Sequence, residues 1–303
     1  MTHRHSQFGV FAIVVASCLW GTTGTAATYA HQVHPITIAA ITMGVGGCLL
    51  ALLSIDAIRS HRCRLKEEWR LLLVGAGSIV IYPLAFYSAM ELAGVAIGNV
   101  ISIGSAPIFT AMLERIFDQT KLSKKWKMSA LLGLIGVMLL SFAKAKVGDN
   151  PIGDNSAFGI LLGLTAGLSY ATYSWVGHRL INKGISSRAA MGSQFGMGGI
   201  MLLPILVVTG STVFQTTTGV YVGLYMAVVP TVIAYKLFGY GLTQVKASTA
   251  TIITLLEPVI ATLLAVTIVN ETIGLQGWSG ITMILGSLIV IIWPNHSRNK
   301  QQM

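Results

Sequence analysis

Two stretches decide the fold when they are laid over one another: Ala96–Leu113, AIGNVISIGSAPIFTAML, and Ala247–Leu264, ASTATIITLLEPVIATLL. Both are apolar for 18 residues, both open on alanine, and Pro107 falls on Pro258. Further pairs keep nearly the same spacing. Phe11–Thr23 lies over Leu161–Tyr173, with Ala16 on Ala166 and Trp20 on Tyr170. Met43–Leu50 (MGVGGCLL) lies over Phe195–Leu202 (FGMGGIML), with three glycines matching, and Ser129–Val137 lies over Ser279–Ser287, with Gly136 on Gly286. Four matches in order, at offsets of 150 to 152, make the chain a tandem repeat.

Each copy holds five apolar segments. The first five are expected at Phe8–Ala30, Ile36–Ile58, Leu71–Met90, Val95–Ile116 and Met128–Phe142, the last extended to about Val147. The second five are expected at Ala157–His178, Ala189–Thr209, Val220–Tyr240, Ala247–Val269 and Ile273–Trp293. Most approach the ~20 residues that cross a bilayer core. Five is odd, so the second copy enters the membrane from the opposite side. The expected fold class is therefore an all-α membrane protein with ten transmembrane helices in two inverted five-helix repeats, at 1–147 and 157–297.

Composition agrees. Charged residues make up 10% of the 303 and hydrophobic ones 53%, and mean hydropathy is +0.72. A soluble domain carries roughly 25% charge, which this chain lacks, so lipid must solvate most of it. The net charge of +10 is read as loop charge that orients helices, not as a nucleic-acid surface. With both termini cytoplasmic, 17 of the 20 basic residues fall on that side; Lys144 and Lys146 fall on the other, and Lys236 lies within a helix. One helix more or fewer would destroy the split. The basic start is read as a flank of the first span rather than as part of a signal peptide. Cys18, Cys48 and Cys63 form no CxxC pair, and no disulfide or zinc site is expected.

The residues also resemble a known family. Leu19-Trp20-Gly21 early on, then Ala234-Tyr235, Ala247-Ser248-Thr249-Ala250, Leu255-Leu256-Glu257-Pro258, Asn270-Glu271 and Gly286, look like the signatures of the drug/metabolite transporter superfamily, EamA type. The resemblance covers both halves. It implies a central cavity lined mainly by helices 1, 3, 4, 6, 8 and 9. The first copy departs from the pattern, with Ala106 and Thr120 where the second has Glu257 and Glu271.

Ionisable groups at membrane depth cost roughly 2.5–3.5 kcal/mol and point to function by default. Glu257 is the first candidate, on a stripe with Thr251 and Thr254. It binds a substrate cation or a proton, or it satisfies backbone groups freed by Pro258. Because the resemblance shares Leu-Glu-Pro among varied substrates, a structural or gating role is preferred. Lys236 either meets a substrate carboxylate or snorkels to the interface. Glu91, Glu114 and Arg115 are read as solvated helix ends, and Glu271 as suiting the N-terminus of helix 10. The remaining candidate substrate-binding residues are Trp20, Thr23, Tyr82, Tyr87, Asn99, Ser102, Tyr170, Tyr173 and Tyr240. Pro83, Pro107, Pro204, Pro230 and Pro258 should mark kinks, and the glycine clusters Gly44-Gly46-Gly47 and Gly196-Gly198-Gly199 should be close-packing faces.

The function expected is secondary transport in the inner membrane by alternating access, exporting an amino acid or amine, with Lys236 and Glu257 suited to a zwitterion. A multidrug exporter of lipophilic cations is the alternative. No Walker A, HExxH or Ser-His-Asp pattern points to an ATPase or an enzyme. No cofactor or metal is expected. The expected partners are a small-molecule substrate and the bilayer; protons and a homodimer stay open, and nucleic acid is excluded.

Overall fold

The computed structural model describes residues 2–144, 156–270 and 272–293. Nine helices in it are long and apolar enough to cross a membrane: α1 (Gln7–Thr28), α2 (Pro35–Leu52), α3 (Trp69–Ala93), α4 (Val95–Phe117), α5 (Lys124–Ala143), α7 (Ser187–Gln215), α8 (Thr217–Leu242), α9 (Ala247–Thr267) and α10 (Leu275–Ile292). The tenth, α6 (Ser156–Asn182), has 27 residues. At about 1.5 Å per residue it spans ~40 Å, beyond the ~30 Å hydrocarbon core. It is more polar because it carries Thr165, Ser169, Tyr170, Thr172, Tyr173 and Ser174, most of them turned inward.

Polar caps set several ends. His34 accepts from Ile36 N at 3.3 Å and precedes Pro35 at the start of α2. Ser186 accepts from Ala189 N (3.3 Å) before α7, and Thr216 from Gly219 N (3.0 Å) before α8. Gly94, at φ 86°, is the single residue between α3 and α4. The second expected segment ran too far. The span stops at Leu52, and Ile55–Ser60 and Arg62–Glu67 form two short helices that lead to α3. The ends of the expected repeats, at 145–147 and 294–297, and Glu271 lie outside the described residues.

The two halves interlock as inversion requires. α1 of the first half packs on α8 and α9 of the second, and α6 of the second packs on α3 and α4 of the first. α5 and α10 run antiparallel across the pseudo-twofold axis. Ser129 Oγ donates to Ser287 O (2.6 Å) and Ser287 Oγ to Ser129 O (2.8 Å). α2 meets α7 through the two glycine clusters: a Cβ on Gly47 would stand 2.4 Å from Phe195 O, and one on Gly199 would stand 2.7 Å from Gly44 O. Close approach is what those glycines supply.

Of the prolines, Pro83, Pro107 and Pro204 sit inside unbroken helices. Irregular turns come at the other two, and also without a proline at Thr22 of α1 and at the π-turn Ala40–Val45 of α2. α8 widens into a π-turn over Val228–Ile233, around Pro230, and α9 is interrupted at Thr254–Leu255, just before Pro258.

Candidate functional site

The broken middles of α8 and α9 face the axis, and two connected chambers lie against them. The inner one, about 100 Å³, is walled by α1 (Trp20, Thr23), α2 (Ile38, Ala39, Thr42, Met43), α3 (Tyr82, Pro83, Phe86, Tyr87), α6 (Tyr170, Tyr173), α8 (Met226, Pro230, Tyr235) and α9 (Glu257). The outer one, about 360 Å³, shares Trp20, Thr23, Phe86, Tyr87 and Glu257. It extends between Ala27, Met90, Val95, Asn99, Ser141 and Ala261. Those residues lie away from the loops that carry Arg59–Arg70 and Lys121–Lys127, which mark the basic face of the bundle.

Seven of the sixteen lining residues of the inner chamber are aromatic, and their rings form a contiguous cluster. Tyr82 stacks near Phe86 (5.7 Å between centroids) and touches Tyr170 (5.6 Å). Tyr170 meets Tyr173 (5.2 Å), and Tyr235 lies 4.0 Å from Phe195 and 4.9 Å from Trp20. Hydrogen bonds fix the polar edges of these rings. Trp20 Nε1 donates to Pro230 O at 2.7 Å, using a carbonyl that the π-turn releases. The Tyr173 and Tyr235 hydroxyls pair at 3.0 Å. Tyr170 Oη donates to Thr254 Oγ1 (2.8 Å), which in turn donates to Thr251 O (3.0 Å), pinning the break in α9.

Glu257 sits where the chambers join. Its carboxylate has no hydrogen-bond or ion-pair partner among the described residues. The backbone beside Pro258 is satisfied without it: Glu257 N donates to Thr254 O (3.0 Å), and Thr262 Oγ1 donates to Pro258 O (2.7 Å). The second of the two readings of Glu257, a carboxylate that serves the freed backbone, therefore finds no contact here. Among the described lining residues of both chambers, Glu257 is the single carboxylate, and no lysine, arginine or histidine lines either.

The structure brings Trp20, Thr23, Tyr82, Tyr87, Tyr170, Tyr173 and Glu257 into the inner chamber. Asn99 lines the outer one, its Nδ2 3.4 Å from Ser141 Oγ. Thr254 lies just behind the wall. Four candidates lie elsewhere. Lys236 lines neither chamber, and Tyr240 is 42% exposed on the outside of the bundle. Ser102 is buried at the α4–α6 contact, against Gly163 and Gly167. Thr251 is buried within α9, bonded to Ser248 O at 3.2 Å. α4 reaches only the outer chamber, and α2, which was not expected, lines the inner one.

Phe86 was not singled out, and Tyr235, named only within the Ala234-Tyr235 signature, was not among the candidate substrate-binding residues. Phe86 could have been found from its spacing of four from Tyr82, which puts both on one helix face. Glu114 also needs correction. It is 1% exposed, not solvated: its Oε1 accepts from Ser248 N (3.0 Å) and its Oε2 from Ser248 Oγ (2.5 Å). A carboxylate of α4 thus caps the first turn of α9.

Comparison with known proteins agrees with this architecture. The sequence profile of the EamA-like transporter family matches twice, at residues 7–142 and 157–293. The uncharacterized transporter YwfM of Bacillus subtilis (strain 168) is 31% identical over 291 residues, 95% of each chain. Protein PecM of Dickeya dadantii (strain 3937) is 26% identical over 91% of this chain and 89% of its own. The uncharacterized inner membrane transporter YicL of Salmonella typhimurium (strain LT2) is 24% identical over 96% and 97%. A crystal structure superposes with a TM-score of 0.76 at 18% identity, over 93% of this chain and 95% of that one, which shows the fold. A ten-helix inverted repeat with an aromatic chamber at its axis, matched by the family profile in both halves, makes this integral membrane protein a member of the EamA-like transporter family.

Proposed function

We propose that the protein exports a small organic amine, as its cation, from the cytoplasm across the inner membrane by alternating access. One observation carries the amine reading: a carboxylate with no partner among the described residues, Glu257, stands among the rings of Trp20, Tyr82, Phe86, Tyr87, Tyr170 and Tyr235, with no cation among the described residues that line the chambers. Ring faces attract a desolvated ammonium by roughly 0.5–2 kcal/mol each, and a carboxylate adds the full counter-charge. A zwitterionic amino acid would bring a carboxylate for which the described residues of the chamber walls offer no cation, since Lys236 lies off them. The amine half of the expectation is thus favoured over the amino-acid half. The basic face is taken as cytoplasmic from its loop charges. A proton can neutralise Glu257 when the amine leaves, which suits exchange of the two.

Matched pairs of ligands test this reading. Tyramine and tyrosine share a ring and differ by the carboxylate, as do phenethylamine and phenylalanine. In proteoliposomes, labelled tyramine should be transported and tyrosine should not, and Glu257→Gln should abolish tyramine flux while the detergent-purified variant melts cooperatively. Transport of tyrosine in preference to tyramine, or full tyramine flux in Glu257→Gln, would overturn it. Flux of many large lipophilic dyes at similar rates would favour the multidrug alternative.

A further inference from the structure

Inversion symmetry supplies an internal control for the surface of the bundle. In the second copy, the cleft between α7, α8 and α2 is filled by protein. Val213, Val222 and Met226 pack there against Ala30, Val33, Ile38 and Ile41, leaving about 10 Å³. The equivalent cleft of the first copy, between α2, α3 and α7, is open. It is a groove of about 670 Å³.

Its wall is almost all carbon: Leu52, Ile55, Ile58, Leu65, Leu72 and Ile200 are among the residues that line it. Gly192 and Gly196 of α7 lie against Ser54 and Ala51 at its base. The basic-face rim is different in kind. Arg62 and Lys66 stand there one helical turn apart, and the ring of Trp69 lies beside them at the head of α3. Neither cation makes a salt bridge or donates a hydrogen bond among the described residues, whereas Arg64 next to them is committed to Gly184 O at 2.9 Å. The connector 53–68 that carries them also holds Arg59, and Arg70 comes next, stacked on Trp69. The corresponding connector of the second copy, Gly210–Thr216, holds no charge.

We infer that this groove is a binding site for one anionic phospholipid: an acyl chain lies along Leu52, Ile58, Leu72 and Ile200, and the phosphate meets Arg62 and Lys66. A long apolar trough ending in paired, uncommitted cations at an interfacial tryptophan matches an acyl chain and a negative headgroup. The bilayer at large supplies the chain chemistry everywhere; the cations, present at one of two symmetry-related clefts, supply the selection. α2 and α3 wall both this groove and the inner chamber, so the lipid braces two walls of the chamber from outside.

The test uses the full-length protein in detergent, with dioleoyl phosphatidylglycerol and dioleoyl phosphatidylcholine as probes and native mass spectrometry to count bound lipid. The wild type should retain the anionic lipid over the neutral one, by on the order of thirtyfold for two cations near a headgroup. Arg62→Gln/Lys66→Gln should lose that preference while keeping the neutral-lipid level. Ile200→Trp, which fills the trough and leaves the cations in place, should lower retention of both lipids. Equal retention of the two lipids by the wild type overturns the site, as does an unchanged preference in the double variant. The thermal transition of each variant in the same detergent shows that it is folded.

Discussion

The two ends of the bundle are related by inversion, yet they are held in different ways. At the basic face, polar contacts across helices are dense. Glu114 caps Ser248, and Trp126 Nε1 donates to Ser248 O at 3.1 Å. Asp118 accepts from Trp175 Nε1 at 2.6 Å and pairs with Arg179, and Glu68 pairs with Lys183. At the opposite face the outer chamber opens between helix ends, with contacts such as Thr22–Tyr225 and Gln32–Thr216, both 2.6 Å, among neutral groups. The asymmetry is written in the sequence. At the repeat offset of 151, Glu114 falls on Ala265 and Asp118 on Val269. A symmetric scaffold thus carries its charged contacts at one end, and in this structure they tie the helices at the basic face, opposite the outer chamber. Of these contacts the Glu114 cap is the dry one, at 1% exposure, and is the most costly to break, whereas the Asp118–Arg179 and Glu68–Lys183 pairs are partly exposed and screened.

The largest way to break this contrast is Glu114→Ala. It strands the Ser248 amide and hydroxyl in a buried site, a loss of ~1–3 kcal/mol or more. A lowered melting temperature should appear together with faster modification of a cysteine placed at Ser248. An unchanged melting temperature would show that the cap contributes nothing. Glu114→Gln keeps one acceptor and should fall between. Trp126→Phe deletes a single neutral hydrogen bond to Ser248 O, for about 0.5–1.5 kcal/mol, measured by denaturation in the same detergent. The smallest effect belongs to Lys183→Ala. The Lys183–Glu68 pair is 41% and 24% exposed on its two side chains, so its removal should change stability by less than ~1 kcal/mol. A sharper test runs the other way. Ala265→Glu places a carboxylate at the inversion partner of Glu114; it should slow tyramine release at the face opposite the basic one, read as a lower exchange rate in proteoliposomes.

Much of this was legible from the residues. Long apolar runs and the repeat gave the ten helices and their inversion, because span length is set by the bilayer and not by tertiary detail. That Trp20 and Tyr170 meet in one chamber wall was legible from a different signal, their matched positions in the two copies. Lys236 and Tyr240 were not. The π-turn over Val228–Ile233 adds residues to one turn of α8, and each added residue rotates the remainder of the helix by about 100°. Tyr235 and Phe238 then face the core, while Tyr240 faces away and Lys236 lines no chamber. Lys236 was singled out as an ionisable group at membrane depth and Tyr240 as an aromatic residue, and residue type alone does not say which face of the helix meets the chamber. The end of α2 was missed because Ile55 and Ile58 continue its apolar pattern into the connector. Glu114 was missed because a carboxylate near a helix end looks solvated until the partner helix is in place.

Gly94 carries a mechanical consequence. One residue joins α3 to α4, so the two helices have no slack between them and the ends that meet at Gly94 must move together. Tyr87 sits near the elbow, in the chamber wall, and Glu114 sits at the far tip of the other arm. In the proposed transport cycle, cargo that displaced Tyr87 would strain the joint at Gly94, and α4 would carry that strain to Glu114, some 20 residues away.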